Sequence, residues 1–538
     1  MSARTRIARL LCLLTLTVAA WLPAATASAS KSQETIFEDD TLLVTKSPAT
    51  VRSTLDTMRS LGADRVRVLM FWDQIAFDAG SRTSPTPDDS RADNPESWNP
   101  AGWAQYDVIV REAEARGINV DLNLAPPAPL WATLVTDDPE LQNHYKPIAS
   151  WFRHFAAAAG KRYSGSYTPQ GDSSPLPRVK FWSLWNEPNE WHFLAPQFAS
   201  PQSPVERAGS LYRDLVDAGY AGLSQSGHGG DIILIGETAP KGRNDPGSHH
   251  SLKPLRLIRA LYCVDRRLKP LQGTAAQNLV CPTTSAGRAS FAADHPGLFQ
   301  ATGWGHHPYA LATRPNSVSR DPDDVALGDL PRLTNTLRSI FRAYGVGTGG
   351  LPIYLTEFGF QTNPPDPFGL PPNRQADFIN QSEFAVYGNP HVRSYSQFLL
   401  VDDGPDTRFP PSSFFYWNNF QTGLVWGLGS GLEGRVKPAF SAFRVPIFVP
   451  VTKSRRAATF RVWGAARPAP NGTFQSASIQ FRGRSGPFRQ LKLATTTNFR
   501  GYIDTKVRIT QTGQLRIAWT DPGGNTLFSR NVGVKVGR

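Results

Sequence analysis

The chain has 538 residues, more than one ordinary domain of about 100–250 residues and enough for a large domain with a smaller companion. Hydrophobic residues make up 40% and charged residues 19%, which supplies a core and excludes wholesale disorder. The formal net charge is +13, but residues 451–538 hold 16 Lys and Arg against only Asp504 and Asp521. Residues 1–450, with 41 basic and 42 acidic side chains, are close to neutral.

At the N-terminus, Arg4, Arg6 and Arg9 precede an apolar run over residues 10–22, and small residues follow to Ser30. This is the order of a secretory signal peptide, cleaved after Ala27 or Ala29. An N-terminal membrane anchor is the alternative, but the run falls short of the roughly 20 residues a span needs, and Pro23 ends it. Residues 1–29 are therefore read as a signal peptide, and the mature protein as secreted, monomeric and without a membrane span. Once Cys12 leaves with that segment, Cys263 and Cys281 remain, and in an oxidising compartment a disulfide between them is the simplest reading. Two buried thiols are the alternative.

From residue 31 onward, short apolar strands alternate with amphipathic helices. An opening strand is expected near residues 35–37, then helix "ATVRSTLDTMRSLGA", with Leu55, Met58 and Leu61 on one face, and strand "RVRVLMFW". Helix "WAQYDVIVREAEARG" leads to strand "INVDLNLAP", helix "IASWFRHFAAAAGKRY" to strand "VKFWSLWNEPN", and helix "ERAGSLYRDLVDAGYAGL" to strand "DIILIGETAP". After the cysteine-bearing segment come strand "GWGHHPY", helix "LPRLTNTLRSIFRAYG", strand "PIYLTEFGF", helix "RQADFINQSEFAVYGN" and strand "SYSQFLLVDD". Eight strands, most separated by a helix, predict an α/β fold of the (β/α)8 TIM barrel type over residues 31–448. An open doubly wound sheet is the rival, but no G-x-G-x-x-G or Walker loop follows any strand, and no cofactor is expected.

Beyond residues 446–453 the charge shifts abruptly and the pattern becomes alternating: "ATFRVWGAA", "SASIQFRG", "RQLKLATT" and "KVRITQTGQLRIAWTD". A small antiparallel, basic β-sandwich is expected over residues 452–538. Its charge is read first as the solvated half of each strand and second as contact with an anionic cell wall or glycan. Nucleic acid is not expected as a partner, because no recognition motif accompanies the charge.

In a TIM barrel, chemistry sits at the C-terminal ends of the strands. In chain order these ends carry Arg67 and Trp72, Asn123, Asn186 and Glu187, Glu237, His307 and Tyr309, Glu357, and Asp402 with Asp403. Two glutamates across one barrel mouth, beside a His, a Tyr and several Trp, suit cleavage of a glycosidic bond in a carbohydrate. That reaction needs one carboxyl protonated and one ionised. Trp131 and Trp191 stand on expected cleft loops, where their rings would stack on sugars, with core packing as the alternative. Glu237 is left open between substrate binding, orienting His307, and neither. The histidine doublets 249–250 and 306–307 are weak evidence for a metal, because adjacent strand residues face opposite ways, and no metal is expected.

At these residues the chain resembles clan A of the retaining glycoside hydrolases, in particular family five (the cellulase and mannanase type) and family thirty-nine. Members carry Asn-Glu, often Asn-Glu-Pro, at the end of strand four and a second glutamate at the end of strand seven, as in "WSLWNEPN" and "IYLTEFGF" here. The resemblance implies Glu187 as general acid/base, Asn186 on the sugar 2-hydroxyl and Glu357 as nucleophile. It implies Arg67 as the strand-two arginine steadying the nucleophile, and His307 and Tyr309 as the strand-six pair. Three features depart from the better-known members. Residues 241–296 are long for a loop, "DPFGLPPNRQ" inserts proline-rich sequence, and "QFLLVDD" lacks a strand-end tryptophan, for which Trp417 or Trp426 is the substitute. A catalytically silent glycan- or wall-binding barrel is the competing reading.

Overall fold

The computed structural model describes residues 32–417 and 419–537. The expected signal peptide, residues 1–29, lies outside the described residues. No helix among the described residues is long and apolar enough to cross a membrane.

Eight parallel strands close into a barrel: β1 (Glu34–Glu38), β2 (Arg65–Phe71), β3 (Asn119–Ala125), β4 (Phe181–Leu184), β5 (Ile232–Thr238), β6 (Gly303–His306), β7 (Ile353–Leu355) and β8 (Val392–Phe398). Each pairs with its sequence neighbour, and β1 pairs with both β2 and β8, which closes the ring. Most strand residues are buried because a barrel strand is covered on both faces, and β2, β3 and β8 bury polar residues such as Arg67, Asp121 and Ser394 among the apolar ones. In β5, every residue from Ile233 to Thr238 is buried.

The helices α1 (Pro48–Ser60), α2 (Pro100–Ala115), α3 (Ala149–Arg162), α4 (Ala208–Leu223), α5 (Pro254–Leu261), α6 (Leu330–Ala343), α7 (Pro372–Tyr387) and α8 (Pro438–Arg444) follow the strands. Their starts follow from local chemistry. Ser47 caps α1 by accepting from the Thr50 N–H, Pro48 occupies the first turn, and Val51, Thr54, Leu55 and Met58 form the buried stripe. The long segment after β5 is largely helical. It holds α5, three further helices (Gly273–Asn278, Ser285–Asp294 and Pro296–Phe299), and a Cys263–Cys281 disulfide with an S–S distance of 2.01 Å.

The C-terminal strands form two sheets. One is antiparallel: β9 (Ile447–Phe448), β11 (Ala458–Ala465) and β14 (Tyr502–Ile509). The other orders β10 (Lys453–Ser454), β17 (Val532–Val536), β15 (Gly513–Thr520), β12 (Ser476–Arg482) and β13 (Arg489–Thr495), with β16 (Thr526–Phe528) on β15. The pairing is antiparallel apart from the short β10–β17 contact. Val445, Phe460, Val462, Ile479, Leu515, Ile517, Trp519 and Val534 form the core between the sheets.

Part of the basic charge joins this sandwich to the barrel. Arg500 pairs with Asp64 at 2.7 Å and Glu34 at 3.2 Å, and Arg530 pairs with Asp377 at 2.5 Å. Arg467 is buried. Its guanidinium pairs with Glu383 on α7, donates to Thr35 Oγ1 and the Phe443 carbonyl at 2.7 Å each, and lies over the Phe443 ring. Trp463 and Tyr502 stack beside Tyr387 in the same contact. Burial pushes the Glu383 carboxyl up even with the guanidinium beside it. Arg467→Ala leaves that carboxyl buried and unpaired, so a loss of about 3–5 kcal/mol is expected, read as a lower denaturant midpoint. A loss below about 1 kcal/mol, typical of exposed pairs, would refute this assignment.

Candidate active site

After Leu184 the chain leaves β4 through a bend in which Trp185 (φ 71°) and Glu187 (φ 39°) both take left-handed backbone conformations. Non-glycine residues adopt these only where the surroundings enforce them. Here the Trp185 N–H donates to the Leu124 carbonyl, Asn123 Nδ2 donates to the Trp185 carbonyl at 2.9 Å, and the Glu187 N–H donates to the Glu237 carbonyl at 2.9 Å. Glu237, at the end of β5, is itself at φ 43°. These bonds from neighbouring strands turn the Glu187 carboxyl into the barrel mouth.

Glu357 follows β7 and meets Glu187 there. The two carboxyl groups and the His307 imidazole offer one atom each within 4.8 Å of one another. Tyr309 donates its hydroxyl to Glu357 Oε2 at 3.0 Å, and Arg67 Nη1 donates to Glu357 Oε1 at 2.9 Å. The guanidinium of Arg67, fully buried inside the barrel, also donates to Asn186 Oδ1 at 2.7 Å and to Glu237 Oε2 at 3.2 Å, and it pairs with Glu38. Five of the expected residues, Arg67, Asn186, His307, Tyr309 and Glu357, thus form one network, with Glu187 joined to it through His307 Nδ1 at 2.7 Å.

Glu237, whose role the sequence leaves open, is the hub beneath them. It bonds His307 Nε2 at 3.0 Å and accepts from Thr356 Oγ1 at 2.6 Å and from Arg67. Its fit depends on Gly305 in β6, since a Cβ there would stand 2.1 Å from Glu237 Oε1. Of the neighbouring histidines, His307 faces this network. His306 faces the other way, with its nitrogens on Thr238 Oγ1 and the Val325 carbonyl.

The charges sort themselves by environment. Burial opposes the cationic form of His307, but Glu357, Glu187 and Glu237 around it outweigh that and push its pKa up to about 10. Burial would raise Glu237, yet the charges of Arg67 and His307 and the bond from Thr356 hold it at about 2. Glu187 goes the other way. Burial raises it and the charge of Glu357 adds to the rise, while His307 opposes them.

A cavity of about 230 Å³ opens beside Tyr309, lined also by Glu190, Lys241, Gln361, Phe420 and Thr422. Sequence reasoning missed these residues. Glu190 is held by Ser251 Oγ from the long segment after β5 and has its carboxyl pushed up to about 8 by burial and the charge of Glu187. Phe420, packed on Tyr309 and Phe398, presents a ring at this cavity. The tryptophans lie elsewhere. Trp131 is buried edge-on to Trp151 and next to Trp98, so protein occupies its surroundings. Trp191 is half-buried and stacked on His249, 4.3 Å between centroids. Asp402, at the end of the last strand's loop, is paired with the buried Lys437.

No family model and no curated protein sequence matches the chain. Solved structures similar to it include GH5_18 from Streptomyces cattleya in complex with GlcNAc, 16% identical over 78% of this chain and 80% of that one, with a TM-score of 0.38. A family 1 β-glucosidase from Thermotoga maritima is 14% identical over 74% and 85%, TM-score 0.42. The virulence factor SghA in complex with its substrate analogue salicin is 16% identical over 74% and 85%, TM-score 0.44. These neighbours are glycoside hydrolases. At such identities and scores they add nothing to the barrel already read from the strand order of this chain.

Proposed function

We propose that the chain is an exported retaining glycosidase, acting on a poly- or oligosaccharide by double displacement. The observation that carries this is the approach of Glu187 and Glu357 to within 4.8 Å of each other and of His307. That spacing accords with the short carboxyl separation, about 5–5.5 Å, of retaining enzymes rather than the roughly 6.5–9.5 Å of inverting ones. Glu357, oriented by Arg67 and Tyr309, attacks the anomeric carbon as Glu187 gives its proton to the departing oxygen. Glu187 then removes a proton from the water that opens the glycosyl ester. Asn186 has its Oδ1 on Arg67, so the amide N–H groups are the end offered to the sugar 2-hydroxyl. The disulfide supports export, since such bonds persist outside the reducing cytosol.

The test is the configuration of the first-formed product, followed by proton NMR before mutarotation. The new hemiacetal is expected to keep the configuration of the bond cleaved, and net inversion would overturn the scheme.

A further inference from the structure

The outer face of the second C-terminal sheet is built from arginine, glutamine and phenylalanine. On β12, Ala477 and Ile479 point into the core, while Gln480 lies on the opposite face. Across the β12–β15 register, Gln480 stands opposite Arg516 and Arg482 opposite Gln514. Arg516 Nε donates to Gln480 Oε1 at 2.8 Å, and Arg482 Nη2 donates to Gln514 Oε1 at 2.5 Å. The Arg516 guanidinium lies 4.0 Å from the centroids of both Phe488 and Phe528, and that of Arg482 lies 4.7 Å from Phe488. The result is an alternating ladder, Arg482–Phe488–Arg516–Phe528.

No ion pair among the described residues involves Arg482, Arg484, Arg489 or Arg516. The two acids of this region are engaged elsewhere: Asp504 pairs with Arg461 on the other sheet, and Asp521 is bonded by Asn525. Arginines present only for solubility would be free and hydrated. These two are stacked, fixed by glutamines and partly desolvated, with Arg516 lowered by burial. A planar guanidinium held in this way has already lost the side-chain freedom that binding would cost, and its fork matches a carboxylate.

We propose that this face, with Arg482 and Arg516 at its centre, binds a carboxylated polysaccharide. Charge complementarity selects a polyanion, and the planar forks suit carboxylates. Phe488 carries two guanidinium groups, whereas Phe528 is 41% exposed and carries one, so the DNA arm of the test below decides between a carboxylated polymer and stacked bases. Binding here stands independently of the proposed hydrolysis; only its purpose, holding the barrel on a sugar polymer, rests on that reading.

Affinity electrophoresis of the full chain through gels containing polygalacturonate, neutral dextran or duplex DNA tests the proposal. Retardation by polygalacturonate alone, weakened by added salt, is expected. R482Q/R516Q should raise the apparent Kd about tenfold or more while leaving aryl-glycoside turnover unchanged. R516Q alone, which leaves Arg482 in place, should weaken binding in the same direction and covers the case in which the double variant misfolds. Absence of retardation by polygalacturonate, equal retardation by DNA, or wild-type binding by both variants would each overturn it. Loss of retardation in these variants with turnover intact separates this site from the barrel's.

Discussion

Replacing Glu357 by glutamine should remove turnover while leaving the fold intact. Glutamine keeps the shape: its carbonyl oxygen can accept from Arg67 and its amide can donate to the Tyr309 hydroxyl oxygen, where the two carboxylate oxygens accept at 2.9 and 3.0 Å. It cannot form the glycosyl ester. With the nucleophile gone, only binding and the surrounding charges assist the reaction, so kcat/KM should fall by about 10⁴-fold or more. Stability should hold or rise slightly, because one of three carboxylates around His307 is neutralised while Arg67 keeps Glu38 and Glu237 as counter-charges. The check is aryl-glycoside kinetics beside a thermal melt. Glu357→Ala extends it by opening space for a small anion such as azide. Azide would then attack in one displacement and give a glycosyl azide of inverted configuration. More than about 1% residual turnover by the folded glutamine variant would show that Glu357 is not the nucleophile.

The barrel was legible in the sequence because its signals are local. β5 reads "IILIGET" and is buried along nearly its whole length, and α1 shows its apolar stripe between a serine cap and the end of the helix. The mouth residues were legible for a related reason: a barrel brings every strand end to one rim, so Glu187 and Glu357 had to share it. Contacts that depend on register between strands were not legible. Nothing around Glu237 announces that Arg67 from β2, His307 after β6 and Thr356 after β7 converge on its carboxylate. Alternation says that His306 and His307 face opposite ways, but only the barrel geometry says which one meets the glutamates. Aromatic rings misled for the converse reason. A tryptophan on a loop looks like a sugar platform, yet Trp131 finds more apolar contact against Trp98 and Trp151 than water would allow at the rim. The ring lining the cavity is Phe420, whose neighbours in sequence carry no such signal. Likewise, α5 escaped detection because its eight residues sit inside a segment broken by glycine and proline. Basic residues of the tail reach across to the acids Glu34, Asp64, Asp377 and Glu383, a pairing that composition alone reads as surface charge.

Glu187→Gln is expected to divide substrates by leaving group. Where the departing oxygen is a sugar hydroxyl, loss of the proton donor should lower kcat/KM by about 10²–10⁴-fold. Where it is an acidic phenol, little protonation is needed, so the first step should survive. The glycosyl ester should then accumulate for want of a base, seen as a burst of phenol followed by slow turnover. The pH dependence follows from the shift. Burial and the charge of Glu357 raise Glu187 above the ordinary glutamate range, so its proton is present at lower pH and leaves as pH rises through the raised value. For sugar leaving groups, wild-type kcat/KM should therefore fall on the alkaline side, and the glutamine variant should lack that limb. The same electrostatics serve the second step. Once Glu357 is esterified its charge is gone and part of the push on Glu187 goes with it, so the residue becomes the stronger acid and sheds its proton, as a base must before it can accept one from water. An alkaline limb that persists in Glu187→Gln would assign the donor to another carboxyl. Glu190, raised to about 8 at the edge of the same cavity, would then be the residue to replace.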